Sequence, residues 1–251
     1  VGGYRFKRQT LQTLTNVLMD TFLTDWSIQQ TFLEGLATTL RLSILAAVLA
    51  LTIGFVMAFA KVSRRRWLNW LAIGYVELFR NTPLLIQLYI YYRGLQSVGL
   101  TLSPESCGVI ALALYTGAYL TEVFRSGLLA IPPEQREAGT SLGLSQFNVY
   151  RLILIPQAFR LILPAIGNQM ISLVKNSSLV AFITVSDLFL VIYKGAVDNF
   201  QPVEYFLEGA AIYMGVSLAI SGGIKLLERC VAPRRQPQAV QSKADGTVSY
   251  G

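Results

Sequence analysis

The sequence predicts an all-α membrane protein, a bundle of about five spanning helices with a structured loop on one face. Three observations carry that expectation. The chain is 53% hydrophobic and only 14% charged over 251 residues, with mean hydropathy +0.49, which is more apolar surface than a soluble domain of this length hides in one core. Leu42 to Ala60 holds no charged residue, and at about 1.5 Å per residue it crosses a hydrocarbon layer of roughly 30 Å. Four further apolar runs follow, from Trp67 to Tyr92, Val109 to Ile131, Leu161 to Ile183 and Tyr205 to Leu227. Polar residues interrupt the first three of these four, and Leu188 to Tyr193 has room for a short extra helix.

Composition also excludes chemistry. The chain has no histidine and two widely separated cysteines, Cys107 and Cys230, so neither a histidine-based triad nor a zinc cluster is expected; no catalytic residue and no metal site is assigned. The net charge of +7 sits mainly beside apolar runs, the pattern of a topology signal rather than of a nucleic-acid surface.

The basic residues then orient the spans. Lys61, Arg64, Arg65 and Arg66 fill the first loop beside Trp67 and Trp70, whereas Gln96 to Ser106 holds no positive charge. The first loop is therefore placed in the cytoplasm. Alternation puts Arg136 inside, Asp198 to Glu204 outside, and Arg229, Arg234 and Arg235 inside, giving an N-out, C-in inner-membrane protein. Before the spans, Leu11, Leu14, Leu18 and Phe22 recur at helical spacing, so residues 1–31 read as an amphipathic segment that lies in the interface or packs on the bundle. It lacks the layout of a signal peptide. Residues 229–251, polar from Pro233 onward, read as a disordered cytoplasmic tail.

The loop over residues 132–156 carries the most information. Pro132 and Pro133 stop the incoming helix, and Glu134 suits the positive end of a new one on which Ala138 and Leu142 share a face. Gly143 can close that helix in a left-handed conformation and Ser145 can cap the next. Two short helices across the cytoplasmic face would suit either a docking element for a soluble partner or a plain linker.

At this loop the chain resembles the permease subunits of ATP-binding-cassette importers, in the polar amino-acid branch with the histidine, glutamine and arginine permeases. Glu137, Ala138, Gly139, Gly143, Ile153 and Pro156 match that family's loop motif, with Gly139 in place of alanine and Ile155 in place of leucine. The resemblance continues through Arg80-Asn81-Thr82-Pro83-Leu84-Leu85, through Gly117-Ala118-Tyr119 with Glu122 and Arg125-Ser126-Gly127, and through Lys175-Asn176-Ser177-Ser178-Leu179, covering residues 32–228. It implies a type I importer permease fold over 32–228, with Glu137, Ala138, Gly139, Leu142 and Gly143 coupling to a separate ATPase. It also implies a second permease subunit, identical or paralogous, and a periplasmic or lipoprotein amino-acid-binding protein. ATP and Mg would be bound by the partner ATPase, because this chain lacks a G-x-x-x-x-G-K-[ST] string. The subunit itself would be the transport pathway, not an enzyme.

Charges that lipid penalises suggest where solute binds. A lysine at mid-membrane costs about 2.5–3.5 kcal/mol, so Lys175 should face a partner or a wet cavity, unless it lies near the outer interface and snorkels to headgroups. Its ammonium suits a solute carboxylate, with Asn176, Ser177 and Ser178 supplying neutral donors and acceptors. Glu122 and Glu77 each precede an arginine by one helical turn, Arg125 and Arg80, so an ion pair is the default for both. Glu122 is the better candidate for a solute ammonium. Thr82 and Pro83 should kink the second helix, freeing a carbonyl that either lines the pathway or accommodates packing. Tyr89, Tyr91 and Tyr92 read as an outer interface belt. The competing function is an ion-coupled carrier using Lys175 and Glu122, or a permease for another small zwitterion.

Overall fold

The computed structural model describes residues 26–231, so the expectations for the N-terminal amphipathic segment and for most of the polar tail lie outside the described residues. Every regular element among them is helical. Helix α1 runs Trp26–Val62, α2 Arg66–Arg80, and α3 Leu84–Tyr89, which continues through a π-helical turn Ile90–Gly94 into a last turn, α4, Leu95–Ser97. Helix α5 is Pro104–Leu129, α6 Pro133–Ser141 and α7 Gln146–Asn148. A π-helical stretch Val149–Leu154 leads from α7 into α8, Ile155–Asn176, which tightens into a 3-10 helix over Ser177–Ile183; α9 is Leu188–Asp198 and α10 Pro202–Val231.

Among the described residues, four stretches are long and apolar enough to cross a membrane: Gln30–Val62, Pro104–Leu129, Gln146–Ile183 and Pro202–Cys230. The expected second span is instead a jointed element, α2 and α3, broken at Asn81–Pro83. The first span starts well before Leu42, because polar Thr39 and Ser43 are turned into the protein interior, where lipid does not reach them. The two short loop helices are realised unequally. α6 is free-standing, whereas α7 is only the first turn of the fourth span. Helix starts follow local chemistry: Ser103, Ser145 and Asp187 each accept a hydrogen bond from a backbone N–H one turn on, and Pro104 and Pro133 occupy first-turn positions where no donor is missed.

The bundle is organised around α5, which runs parallel to α1. Arg41 meets Glu105 at 2.5 Å near one end, and Lys61 meets Glu122 toward the other. Between them the backbones approach closely. A methyl group at Gly54 would stand 2.6 Å from Leu120 Cβ and 3.2 Å from the Gly117 carbonyl oxygen. Leu42, Leu88, Leu112, Leu173, Val180 and Ile183 bring α1, α3, α5, α8 and the 3-10 segment into one apolar core. α10 packs on α8 and α9, and its outer face is open.

α9, read as a possible short helix at Leu188 to Tyr193, is longer and tied to α1. Its N-cap Asp187 accepts from Leu190 N at 3.0 Å, while Thr39 Oγ1 accepts from Leu188 N at 3.0 Å. Asp187 is fully buried, and burial pushes its carboxyl up from 3.8 to about 6, against the opposing pull of the α9 backbone N–H groups.

Two outcomes follow from this packing. Gly54→Leu forces α1 off α5 and should lower stability by about 1–3 kcal/mol, read as a drop in the thermal midpoint in detergent, whereas Gly74→Leu, with nothing within 4 Å of its position, should not lower it. The folded chain also binds the Asp187 proton more tightly than the unfolded chain, so that contribution to stability is complete below about pH 4 and is lost as pH rises through about 6. Asp187→Asn, which keeps a capping oxygen, should flatten the pH dependence of the thermal midpoint over that window.

Candidate functional site

The candidate residues fall at separate places: Thr82 at the α2–α3 joint, Lys175 to Ser178 where α8 tightens into the 3-10 helix, Glu122 beside Lys61 between α5 and α1, and the coupling residues in the loop after α5. At the α2–α3 joint, Thr82 Oγ1 donates to the Leu78 carbonyl at 2.8 Å. The carbonyls freed by the break do not stay free. The Gln87 amide nitrogen reaches the Phe79 carbonyl at 3.1 Å, the Thr82 carbonyl at 3.2 Å and Thr82 Oγ1 at 2.7 Å, from a side chain that is 5% exposed. Gln87 was missed in the sequence, although a glutamine one turn after a proline break is the signal that would have found it.

The expected Glu77–Arg80 ion pair does not form. α2 ends at Arg80, with Asn81 N bonded to the Glu77 carbonyl at 3.2 Å, and Glu77 Oε2 accepts from Asn81 Nδ2 at 2.7 Å. Arg80 turns to α5 and lies over the Tyr119 ring, 5.0 Å from its centroid. The Tyr115 ring lies tilted against that of Tyr119, with centroids 5.1 Å apart. The expected Glu122–Arg125 pair does form, at 2.9 Å, and Lys61 adds a second cation from α1. Both carboxylate oxygens of Glu122 are thereby engaged, so in this structure it acts as an interhelix pin rather than as an open solute contact.

Lys175 is exposed in the last turn of α8, and among the described residues neither it nor the Asn176 side chain makes an ion pair or hydrogen bond. Ser177 and Ser178 differ. Both hydroxyls turn back on the main chain, Ser177 to the Val174 carbonyl and Ser178 to the Lys175 carbonyl, each at 2.8 Å, and Ser177 is fully buried. The tyrosines expected as an outer belt divide likewise. Tyr89 is exposed, with its hydroxyl 3.3 Å from the Phe182 carbonyl, while Tyr91 and Tyr92 pack against the core.

In the loop, α6 ends as the sequence suggests. Gly143 adopts φ +78, Gly143 N bonds the Thr140 carbonyl at 3.0 Å and Leu144 N bonds the Gly139 carbonyl at 3.2 Å, a complete Schellman closure. The five coupling candidates split into a seat and a face. Gly139 is buried, and a methyl there would stand 2.9 Å from Ile153 Cδ1 and 3.0 Å from Val149 Cγ2. Glu137 and Ala138 are exposed, Leu142 is 80% exposed, and Phe147, which the sequence reading missed, is 69% exposed beside them in the chain. Tyr150 packs edge-on against Phe59 at 5.8 Å, linking the loop to the end of α1.

Comparison with known proteins identifies this architecture. Residues 50–232 match the family described as the inner membrane component of binding-protein-dependent transport systems. The octopine transport system permease protein OccM of Rhizobium meliloti is 35% identical over 220 residues, covering 84% of this chain and 90% of that one. The arginine transport system permease protein ArtQ of Bacillus subtilis is 36% identical, covering 78% of this chain and 90% of that one. Among solved structures, an amino acid ABC transporter with histidines superposes with a TM-score of 0.77 at 35% identity, over 83% of this chain and 98% of that one. The MetNI methionine ABC transporter, at 16% identity and a TM-score of 0.69 over 84% of this chain and 100% of that one, shares the fold. The chain belongs to the family of inner-membrane components of binding-protein-dependent transport systems, as a permease subunit of the ATP-binding-cassette importer type.

Proposed function

We propose that this chain forms the solute pathway of an ATP-driven importer of amino acids or amino-acid-derived zwitterions, with residues 32–228 as the permease unit. The observation that carries the reading is the face of α6. Exposed Glu137, Ala138 and Leu142 stand on a helix whose other side is seated through Gly139, so force applied to the face reaches the spans. A cytoplasmic ATPase holding ATP and Mg is the partner this face fits, which places the Lys61 and Arg64 to Arg66 end in the cytoplasm and makes the subunit N-out and C-in. ATP binding would draw two ATPases together and rock the spans between two states, while a second permease and a periplasmic or lipoprotein amino-acid-binding protein complete the assembly. The names of relatives that carry octopine and arginine support the solute class over an ion-coupled carrier.

Within the pathway we assign Lys175 and Asn176 to the solute, since their polar ends are uncommitted. Thr82 holds the joint, Ser177 and Ser178 shape the end of α8, and Glu122 pins α1 to α5.

Co-purification with the cognate ATPase in detergent tests the docking face. Glu137→Lys and Leu142→Glu should lose the ATPase while keeping the thermal midpoint; Gly139→Leu should lose both, because it unseats the helix. If wild type binds no nucleotide-binding partner and moves solute down an ion gradient alone, the carrier reading replaces this one. In reconstituted complexes, Lys175→Ala should raise the solute KM by about tenfold, the scale of one charge-assisted hydrogen bond, with ATPase binding unchanged; an unaltered KM removes Lys175 from the pathway.

A further inference from the structure

Arg80 is a cation in the wrong place for a structural role. Its guanidinium lies over the ring of Tyr119, a residue just past the midpoint of the 26-residue span α5. It is therefore near mid-membrane, where lipid penalises an exposed charge and where ionisable groups line wet cavities or meet partners. Among the described residues no carboxylate lies within ion-pair distance of it: Glu77, one turn away, is bonded to Asn81, and Glu122, one turn from Tyr119, is taken by Lys61 and Arg125. Arg80 is exposed, and among the described residues no acceptor takes a hydrogen bond from its N–H donors.

We infer that Arg80, stacked on Tyr119, is a carboxylate-binding subsite of the translocation pathway, deeper in the membrane than Lys175. The inference rests on the importer reading above and deepens it. Cation–π attraction holds the guanidinium over the ring without using its N–H donors, which can then take a carboxylate through two parallel hydrogen bonds. The Gln87 plug holds the joint at which Arg80 sits, so the group is presented from a fixed backbone rather than from a mobile loop. Lys175 lies in the last turn of α8, toward the far end of the span Gln146–Ile183. The two cations therefore lie at different depths, Lys175 toward the end of its span and Arg80 near the middle of α5. Arg80 can also meet an acid of the second permease instead of a solute, and the test separates the two.

The experiment uses the full complex with its ATPase, second permease and cognate binding protein in proteoliposomes, measuring ATP-dependent uptake of L-arginine, L-histidine, L-glutamine and octopine. For whichever is transported best, its decarboxylated amine (agmatine, histamine or 4-aminobutanamide) serves as competitor. Arg80→Gln should raise the KM of the amino acid about tenfold to a hundredfold while leaving inhibition by the amine unchanged, so that discrimination for the carboxylate collapses. Arg80→Lys, which keeps the charge and loses the planar stack, should fall between wild type and Arg80→Gln, as should Tyr119→Leu, which keeps the cation and removes its platform. ATPase and second-permease co-purification should be unchanged in all three. An unaltered KM in Arg80→Gln overturns this inference alone, and so does loss of the second permease, which would assign the cation to the subunit interface. If wild type takes up neither the three amino acids nor octopine, the importer reading falls and takes this inference with it.

Discussion

The approach of α1 to α5 is the constraint on which the rest of the bundle depends. Helices in lipid gain nothing from hiding apolar side chains from one another, so they associate where small residues let the backbones close and where polar groups pair. Gly54 against Leu120 supplies the first, and the Arg41–Glu105 and Lys61–Glu122 contacts supply the second. The two ion pairs also fix the axial register. With α5 held, Tyr75 reaches across to the Leu114 carbonyl at 2.7 Å and draws α2 in, and Gly127 admits Ile162 of α8 on the opposite side. α10 is seated on α8 where Gly167 meets Ile224 and keeps its outer face free.

What the sequence made legible was whatever depends on neighbours along the chain. Apolar runs gave the spans, prolines and Glu134 gave the start of α6, and Gly143 with Ser145 gave its end, because caps and turns are decided within a few residues. Interactions between distant segments stayed hidden. Lys61 reads as a loop charge until α5 brings Glu122 to it. Arg80 reads as the partner of Glu77 by spacing, yet the helix ends at that very residue, so the geometry behind the spacing rule no longer holds. Ser177 and Ser178 looked like solute ligands, but the tightening to a 3-10 helix turns both hydroxyls onto the main chain.

The loop shows how one motif serves two mechanical purposes. Gly139 and Gly143 are structural, the first because Val149 and Ile153 leave room for little more than a hydrogen, the second because its backbone is left-handed. Glu137, Ala138 and Leu142 are free to meet another surface. A stiff seat beneath an exposed face is what distinguishes a lever from a tether, and Tyr150 against Phe59 carries the contact on to α1.

The jointed element α2–α3 has a consequence for how the protein is made. Broken into helices of 15 and 6 residues and carrying Glu77, Arg80, Asn81 and Gln87, this segment is not among the described helices long and apolar enough to cross on their own, and a translocating channel would release it into lipid only at a cost. Its polar groups are answered chiefly by itself and by α5, which is synthesised later. Insertion is therefore cheaper when the second segment meets α5 before it meets lipid, because Tyr75 then finds the Leu114 carbonyl and Arg80 the Tyr119 ring.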